Sequence, residues 1–333
     1  MNTKILKIEN LLTIKIVATL DVFKNIENYF PNTLHNLTVT DFDYEINYRK
    51  INTIPNMYKN NINCKCISPF RNSKYILNIN DQTIFAYAEK QKYSEEHLII
   101  KNNKNIDIMV INDKNNKTLI RLITELIIRK LLENGYFPLH ASCVVSNNKA
   151  IVYFGDKSSG KSTALFSSVL INNDNPLAND ITFIGNDNGI WKAFGTSYDL
   201  TFDKSLIKQI IENKISFQKH NFIKQFSSNK IRYTPKDFCG SFNTTWQWSA
   251  PIKDINIVRL SPEQEYKKKP LVEYYKKLEY LVNYGKDNNF FFDDILMINQ
   301  LSPIYNYEQL ATDVEFNEIE GNILKYQKNK KLN

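Results

Sequence analysis

The feature that most constrains this chain is a short segment between an apolar run and a helix-compatible run. Residues 155–163 read Gly-Asp-Lys-Ser-Ser-Gly-Lys-Ser-Thr, a complete G-x-x-x-x-G-K-[ST] pattern. The apolar stretch Ala150–Phe154 precedes it, and Ala164–Leu170 follows it. In this pattern the glycines let backbone N–H groups turn toward phosphate oxygens, and the lysine adds a positive charge. The segment therefore predicts a strand, a phosphate-binding loop and a helix, in that order.

The chemistry of such a loop assigns a role to each part of it. We expect Lys161 to reach the β- and γ-phosphates of a nucleotide, and the hydroxyl of Ser162 to bind Mg²⁺. The N-terminus of the following helix adds its positive dipole end. ATP and Mg²⁺ are the expected ligands, and the expected cofactor-binding residues of the loop are Gly155, Asp156, Lys157, Ser158, Ser159, Gly160, Lys161, Ser162 and Thr163.

Glycine usage supports this interpretation. The chain has only 9 glycines in 333 residues and none before Gly135, yet five of them fall between Gly155 and Gly195. Glycine is needed where the backbone must adopt conformations that a Cβ hinders. The clustering therefore indicates a region of demanding backbone geometry.

Composition limits the class of protein. A length of 333 residues is enough for two domains, and 42% hydrophobic and 13% aromatic residues are typical of globular chains. The net charge of +8 comes from basic residues scattered among acidic ones, without a nucleic-acid-binding motif. We therefore expect no nucleic-acid partner.

The N-terminus and the cysteines point to a reducing compartment. The first ten residues are broken by Lys4, Lys7 and Glu9, and no window approaches the roughly 18 apolar residues of a membrane span. The four cysteines are too few and too dispersed for a disulfide framework or a zinc site. We expect a cytoplasmic protein without a membrane partner.

Hydrophobic periodicity divides the chain in two. Residues 1–115 alternate between apolar and polar, which predicts short strands, with a short helix near Asp21–Tyr29. This region is interpreted as a strand-rich α+β recognition or scaffold domain. Residues 116–333 are interpreted as a nucleotide-binding catalytic domain with a C-terminal helical extension, because 263–288 show helical spacing.

The region before the loop has its own pattern. Residues 117–134 show apolar side chains at helical spacing, and Gly135 follows as a C-cap signal. Residues 137–145 and 149–154 then predict a hairpin that leads into the phosphate loop. His140 begins the first strand of this hairpin, which places its ring within reach of bound phosphates.

The order of these elements resembles the HPr kinase/phosphorylase-like family. The resemblance rests on a helix, Leu139-His140-Ala141, a short hairpin, the phosphate loop, a helix and Leu177-Ala-Asn179-Asp180, and it covers residues 117–262. It implies an α/β P-loop catalytic domain related to phosphoenolpyruvate carboxykinase. Relatives associated with modified-peptide biosynthesis are similar in having an extra N-terminal region.

The resemblance also implies site residues. Lys161 and Ser162 would hold the triphosphate and Mg²⁺, Asp180 would lie beside the transferred phosphoryl group and the metal, and His140 would stabilise charge there. Where the family has two adjacent aspartates, this chain has Asn179-Asp180, and the first aspartate is the one usually assigned as general base. Either Asp180 accepts the proton instead, or the domain binds nucleotide and transfers poorly.

Two arginines are candidates for a second cation on the phosphates. Arg232 and Arg259 each follow an apolar or turn segment downstream of the loop. A guanidinium can bind the spread charge of a phosphoryl-transfer transition state bidentately. An ordinary salt bridge is the alternative for each residue.

These observations lead to two main hypotheses. The first is an ATP-dependent phosphotransferase that moves the γ-phosphate to a hydroxyl of a peptide, protein or small molecule. The second is a nucleotide-binding regulatory subunit with weak or no catalysis. A homo-oligomer is compatible with both.

Overall fold

The structure is a computed structural model of mixed α/β architecture. It divides into two compact units, the first containing residues 1–133 and the second beginning at residue 134. The helix expected to open the second domain therefore belongs to the first unit. Among the described residues, no helix combines the length and apolar character needed to cross a membrane. The structure describes residues 1–36, 40–60, 64–68, 73–80, 83–90, 95–204, 230–260, 267–270, 310 and 313–321.

The first unit is built around a nine-stranded sheet in the order β3-β1-β2-β4-β9-β8-β7-β6-β5. The strands predicted near residues 12–17, 75–79, 83–88 and 106–111 are all present, as is the short helix. The strands are β1 (Asn2–Ile8), β2 (Leu12–Ala18), β3 (Leu34–His35), β4 (Tyr44–Lys50), β5 (Cys64–Ser68), β6 (Ser73–Asn80), β7 (Thr83–Ala88), β8 (His97–Asn102) and β9 (Asn105–Val110), and the helices are α1 (Leu20–Tyr29), α2 (Asn56–Asn60) and α3 (Lys117–Glu133).

Three central strands of this sheet run parallel. β2 pairs with β4, and β4 pairs with β9, each in parallel register. Parallel neighbours need a crossover connection, and α1 lies in the connection that follows β2. α1 is amphipathic and buries Val22, Phe23 and Ile26. The carboxyl ends of three neighbouring strands therefore meet at one edge of the sheet.

The second unit contains the phosphate loop. A seven-strand path runs β10-β14-β15-β18-β12-β11-β13, and β18 also pairs with β20, which pairs with β19. The elements are β10 (Phe137–Leu139), β11 (Ala141–Ser146), β12 (Lys149–Phe154), α4 (Lys161–Asn172), β13 (Asn175–Ala178), β14 (Thr182–Asp187), β15 (Ile190–Gly195), β16 (Leu200–Asp203), β17 (Lys230–Tyr233), α5 (Pro235–Phe242), β18 (Ser249–Leu260), β19 (Lys267–Pro270) and β20 (Glu315–Gly321).

The predicted hairpins are present with corrected boundaries. β11 and β12 pair around the Asn147-Asn148 turn, but β10 pairs with β14 and is not part of that hairpin. The next hairpin turns at Asn188-Gly189 alone, because Gly185 lies inside β14. Both turns have positive φ angles, as a two-residue hairpin turn requires.

Later predictions were met in part. The sequence of residues 203–212 predicts a helix, but residue 203 ends β16, and residues 205–212 lie outside the described residues. Residues 263–266 and 271–288 of the predicted C-terminal extension also lie outside them. The helix start near residue 235 is confirmed: Thr234 caps α5 by accepting the Asp237 amide at 3.2 Å. The buried strand predicted over 255–260 is the second half of β18.

An aromatic cluster holds the β16–β17 ribbon and α5 against α4. Phe166 of α4 lies 4.8 Å from Phe202 and 6.2 Å from Phe238, measured between ring centroids. Tyr233 and Phe242 complete the cluster. Aromatic pairs in such geometries add to the free energy gained from burial. The helix that follows the phosphate loop is thereby fixed at its side.

Gly195 and Thr196 come directly after a predicted strand, a position that predicts contact with a substrate beyond the strand end. In the structure, Gly195 lies instead at a close approach between β15 and β13. A Cβ at Gly195 would lie 2.0 Å from the backbone oxygen of Leu177. Thr196 is buried, with its hydroxyl directed to the backbone of Ile181. The two residues therefore serve packing in this structure.

We expect Gly195→Ala to lower the free energy of unfolding by about 1–3 kcal/mol or more, because a rigid backbone cannot give way to the added methyl group. The matched control is Gly240→Ala on α5, where a Cβ meets nothing within 4 Å. Replacing this helical glycine should raise the free energy of unfolding by up to about 1 kcal/mol. Urea unfolding midpoints measure both changes, and equal midpoints for the two variants would contradict the prediction.

Candidate functional site

The phosphate-loop pattern lies where the sequence predicts it, between β12 and α4. Gly155 follows the last residue of β12, and Gly160 precedes α4 with a φ of 101°. A Cβ at Gly155 would lie 2.7 Å from Ser159 Oγ and 2.8 Å from the backbone oxygen of Val258. Only glycine fits this position, because β18 passes directly beside the loop. The strand, loop and helix predicted from the pattern are all present.

Lys161 is held inside the loop. Its Nζ donates to the backbone oxygens of Gly155 at 2.9 Å and Asp156 at 2.8 Å, and the residue is only 7% exposed. Burial lowers the pKa of Lys161, while the negative charges of Asp180 and Asp156 oppose this shift. A cation at this depth, at the start of a helix, is placed to meet an anion that enters the loop.

His140 and Asp180, which the resemblance implies as separate site residues near a transferred phosphoryl group, form a hydrogen-bonded pair. His140 Nε2 lies 3.1 Å from Asp180 Oδ1, and the carboxylate side chain is 66% exposed. The hydrogen bond from His140 lowers the pKa of Asp180, and the positive charges of His140, Lys161 and Lys230 lower it further. Asp180 is therefore an accessible carboxylate that is ionised at neutral pH.

The pair lies at a break in an antiparallel ladder. Leu139 pairs with Thr182 and Cys143 pairs with Ala178, which is the same register on both sides of the break. On one side of the break β10 pairs with β14, and on the other side β11 pairs with β13. His140 lies between β10 and β11, and Asp180 lies between β13 and β14. The interruption of the ladder leaves both residues outside the regular strand pairing.

Two hydroxyls satisfy the backbone at this break. Ser142 Oγ donates to the backbone oxygen of Asn179 at 2.6 Å, and Thr182 Oγ1 donates to that of Ala141 at 2.9 Å. Buried carbonyls without a partner are costly, so these bonds replace lost ladder bonds. They tie the segment around His140 to the segment around Asp180. No motif or spacing in the sequence predicts either bond.

Asn179 is placed differently from its neighbour. The residue is 8% exposed, and its Oδ1 is buried with no hydrogen-bond partner. Asp180, one residue later, presents most of its side chain to solvent. Of the two candidate residues, only Asp180 offers an accessible oxygen.

Lys230 is a site residue that the sequence analysis missed. It is the first residue of β17, pairs in register with Asp203, and contributes one of the positive charges that lower the pKa of Asp180. It follows no recognisable motif and is one of 43 lysines and arginines. Only the folded ribbon brings its charge near Asp180.

The two candidate arginines have different surroundings. Arg259 follows Val258, which borders Gly155, and its Nε lies 3.5 Å from Glu318 Oε1 of β20. This is the ion pair that the sequence analysis weighed as the alternative. Arg232 is exposed on β17, opposite Thr201. Neither residue has a contact that assigns it to phosphate, and both assignments stay predictions.

The remaining loop positions are mostly open to solvent. Asp156, Lys157 and Ser158 are exposed, and Ser158 has a φ of 64°. Ser162 and Thr163 occupy the first turn of α4 and are half-buried. Within the part of the chain that the structure describes, no group of three or more His, Cys, Asp or Glu side chains could hold a metal. Any magnesium bound here would depend on few protein oxygens, as is usual when phosphates supply the other ligands.

Comparisons with known proteins gave limited similarity. No protein-family model matches the chain, and no curated protein matches it. A structural match is the Hpr(Ser) kinase/phosphatase from Coxiella burnetii, at 7% identity and a TM-score of 0.28, covering 59% of this chain and 91% of that one. A TM-score this low establishes no common fold, so the site is interpreted from its own residues.

We expect His140→Ala to raise the pKa of Asp180 toward the ordinary value of about 3.9, because the main cause of its lowering is removed. Because the pKa of Asp180 is lower in the folded protein than in the unfolded chain, its ionised form stabilises the fold at pH values above the unfolded-state pKa. This contribution to the free energy of unfolding is lost as the pH falls through the folded-state pKa. Carbon-13 NMR titration of the side-chain carboxyl measures the shift. His35→Ala, in the first unit, is the control, and an unchanged Asp180 titration in His140→Ala would contradict the prediction.

Proposed function

We propose that this protein is an ATP-dependent phosphotransferase, which moves the γ-phosphate to a hydroxyl of a peptide, protein or small-molecule acceptor. The observation that carries the proposal is the charge arrangement of the second unit. A buried Lys161 at the start of α4 and an ionised, accessible Asp180 influence each other's pKa. One group is suited to bind phosphate and the other to accept a proton.

The loop fits a nucleoside triphosphate. The close contacts of Gly155 leave no room for a Cβ, so its backbone can curve tightly under an anion. Ser159 Oγ is buried in the loop with no hydrogen-bond partner. Lys161 Nζ is bonded to two carbonyls that phosphate oxygens could replace. The residues that would hold the triphosphate are those of the loop, and Ser162 and Asp180 would supply oxygens to Mg²⁺.

In the proposed reaction the side chains of this protein position the reacting groups and neutralise the charge on the phosphates. A bound magnesium triphosphate supplies the phosphoryl group, and the metal offsets its charge. Asp180 accepts the proton of the acceptor hydroxyl as that oxygen forms its bond to phosphorus and the bond to the leaving diphosphate oxygen breaks. Lys161 stabilises the charge left on the diphosphate. Phosphoryl transfer depends chiefly on such positioning, so a carboxylate with a lowered pKa is sufficient as the base.

A second candidate function is a nucleotide-binding regulatory subunit. The observation that favours it is Asn179, because its buried amide cannot act as a base and its Oδ1 has no partner. A chain that retained the phosphate loop but lost transfer would have this combination. The protein would then respond to nucleotide without forming a product.

The test combines binding and transfer. Purified protein is incubated with Mg²⁺ and γ-labelled ATP together with a lysate of its own host, and ATP binding is measured in parallel by calorimetry. Label on a lysate component that depends on Asp180 supports the phosphotransferase and yields its acceptor. ATP binding without labelling favours the regulatory subunit, and no ATP binding overturns both.

A further inference from the structure

A cavity in the first unit lies outside the phosphate-loop site. Its volume is about 590 Å³, within the range of roughly 300–1,000 Å³ that is typical of small-molecule sites. The lining residues that the structure describes all belong to the first unit and are polar or charged. They are Asp21, Asn25, Lys50, Lys90, Glu95, Asn112, Asp113 and Asn115.

The topology of the sheet explains why these residues meet. β2, β4 and β9 are parallel neighbours, so their carboxyl ends share one edge. β8 is antiparallel to β9, and β7 is antiparallel to β8, so the start of β8 and the end of β7 lie at that same edge. Among the lining residues that the structure describes, Lys50 ends β4, and the others lie in the segments that follow β2, β7 or β9 or that precede β8; Asp21 and Asn25 belong to α1, the helix after β2. Crevices outside the carboxyl ends of parallel strands are common ligand sites.

Asp113 contributes a buried carboxylate to the lining. It is 3% exposed and accepts hydrogen bonds from Tyr48 Oη at 2.9 Å and from the backbone amides of Lys117 and Thr118 at 3.1 and 3.3 Å. These three donors are neutral and hold the carboxylate in place, while burial raises the pKa of Asp113 and the nearby His97 partly opposes that shift. A buried carboxylate is stabilised further by a nearby cation.

The rim is also weighted toward negative charge. The lining residues that the structure describes include three carboxylates and two ammonium groups, so acidic side chains outnumber basic ones there, in a chain of net charge +8. The rim ion pairs are long, at 3.6 Å between Lys50 and Asp21 and 3.9 Å between Lys90 and Glu95. Exposed pairs of this kind contribute little energy and are readily exchanged for a better-placed cation.

We propose that this cavity is a binding site for a ligand that carries an ammonium or guanidinium group. The carboxylates of Asp21, Glu95 and Asp113 recognise the cation, and the asparagine amides bind neighbouring polar atoms of the ligand. The cation belongs either to a small amine or to a basic side chain of a peptide. This site is independent of the proposed phosphotransferase activity.

The test measures binding of defined probes to the full chain without nucleotide. The cationic probes are argininamide, as the small molecule, and the acetylated tripeptide amide Gly-Arg-Gly, as the peptide. The matched neutral probe is the same tripeptide with citrulline in place of arginine. We expect calorimetry to show saturable binding of a cationic probe. The citrulline tripeptide should bind about tenfold or more weakly, since it differs from the arginine tripeptide chiefly in lacking the charge.

Variants locate the binding. The double variant Asp21→Asn, Glu95→Gln should weaken binding of the better cationic probe by about tenfold. The amide side chains keep the shape of the carboxylates, so the hydrogen bond that Asp21 accepts from Thr19 Oγ1 can still form. The control is Asp41→Asn, whose side chain is fully exposed away from the cavity lining, and it should change the Kd by less than about twofold.

The outcomes decide the proposal. Tighter binding of the tripeptide identifies a peptide ligand, and tighter binding of argininamide identifies a small amine. The proposal is overturned if neither cationic probe saturates below about 10 mM, a weak limit for specific binding. It is equally overturned if the citrulline peptide binds as well as the arginine peptide, or if Asp41→Asn causes the same loss as the double variant.

Discussion

Lys161→Met is expected to weaken ATP binding by more than about a hundredfold. The substitution keeps the length and apolar stem of the side chain and removes only the ammonium group, which is buried in the loop and bonded to two carbonyls. Loss of one partner in a buried charge pair costs about 3 kcal/mol, which corresponds to this change in Kd. Calorimetric titration with Mg·ATP measures it.

The control for this prediction is Lys149→Met. Lys149 is an exposed residue at the start of β12, so the variant has the same change in net charge in the strand that leads to the loop. Its Kd should stay within about twofold of wild type. ATP affinity that is the same in Lys161→Met and wild type would show that the loop does not bind phosphate.

Asp180→Asn is expected to lower the rate of phosphoryl transfer by about 10²–10⁴-fold, the usual contribution of a general base. Asparagine retains the shape of the side chain and can still bond to His140, but it cannot accept the acceptor proton. The affinity for Mg·ATP should fall much less, because Lys161 and the loop remain. Single-turnover transfer and equilibrium ATP binding, measured on the same preparation, separate the two effects.

Asp187→Asn provides the matched control for Asp180→Asn. Asp187 is an acid of the same unit at the end of β14, where it pairs with Lys192. Its substitution removes the same charge at a distance from the loop and should leave transfer unchanged. Full activity in Asp180→Asn would exclude Asp180 as the base.

The sequence predicted well the phosphate loop, the hairpin before it and the helix that precedes them. The phosphate-loop pattern, the apolar period of residues 117–134 and the Asn147-Asn148 turn are each encoded within a few neighbouring residues. Local rules of backbone geometry decide such elements, so their existence and type follow from the sequence. The structure contains all three.

Strand partners could not be predicted in the same way. β18 lies beside β12 although about 100 residues separate them, and β10 leaves its expected hairpin to pair with β14. Both choices depend on which apolar faces fit together in three dimensions, and no short stretch of sequence specifies this. The same reason explains why Gly195 was misinterpreted, since its close neighbour Leu177 belongs to a different strand.

The residues of the candidate site could be predicted where they belong to a sequence motif, and could not be predicted where they do not. The loop residues follow from the pattern, and the family resemblance implied His140 and Asp180 as site residues without predicting their hydrogen bond. Lys230 and the hydroxyls of Ser142 and Thr182 belong to no pattern. Their roles arise from tertiary contacts that only the fold creates, as do the residues that line the cavity of the first unit.

The two hydroxyl bonds that cross the ladder break have a consequence for the energetics of any reaction at this site. They clamp the backbone on both flanks of the His140–Asp180 pair, so the relative position of imidazole and carboxylate is fixed by the fold alone. Groups that are already aligned need little reorganisation when charge develops in a transition state. Binding of substrate then need not supply this alignment, and loss of one hydroxyl, as in Ser142→Ala or Thr182→Val, would loosen the site without changing either member of the pair.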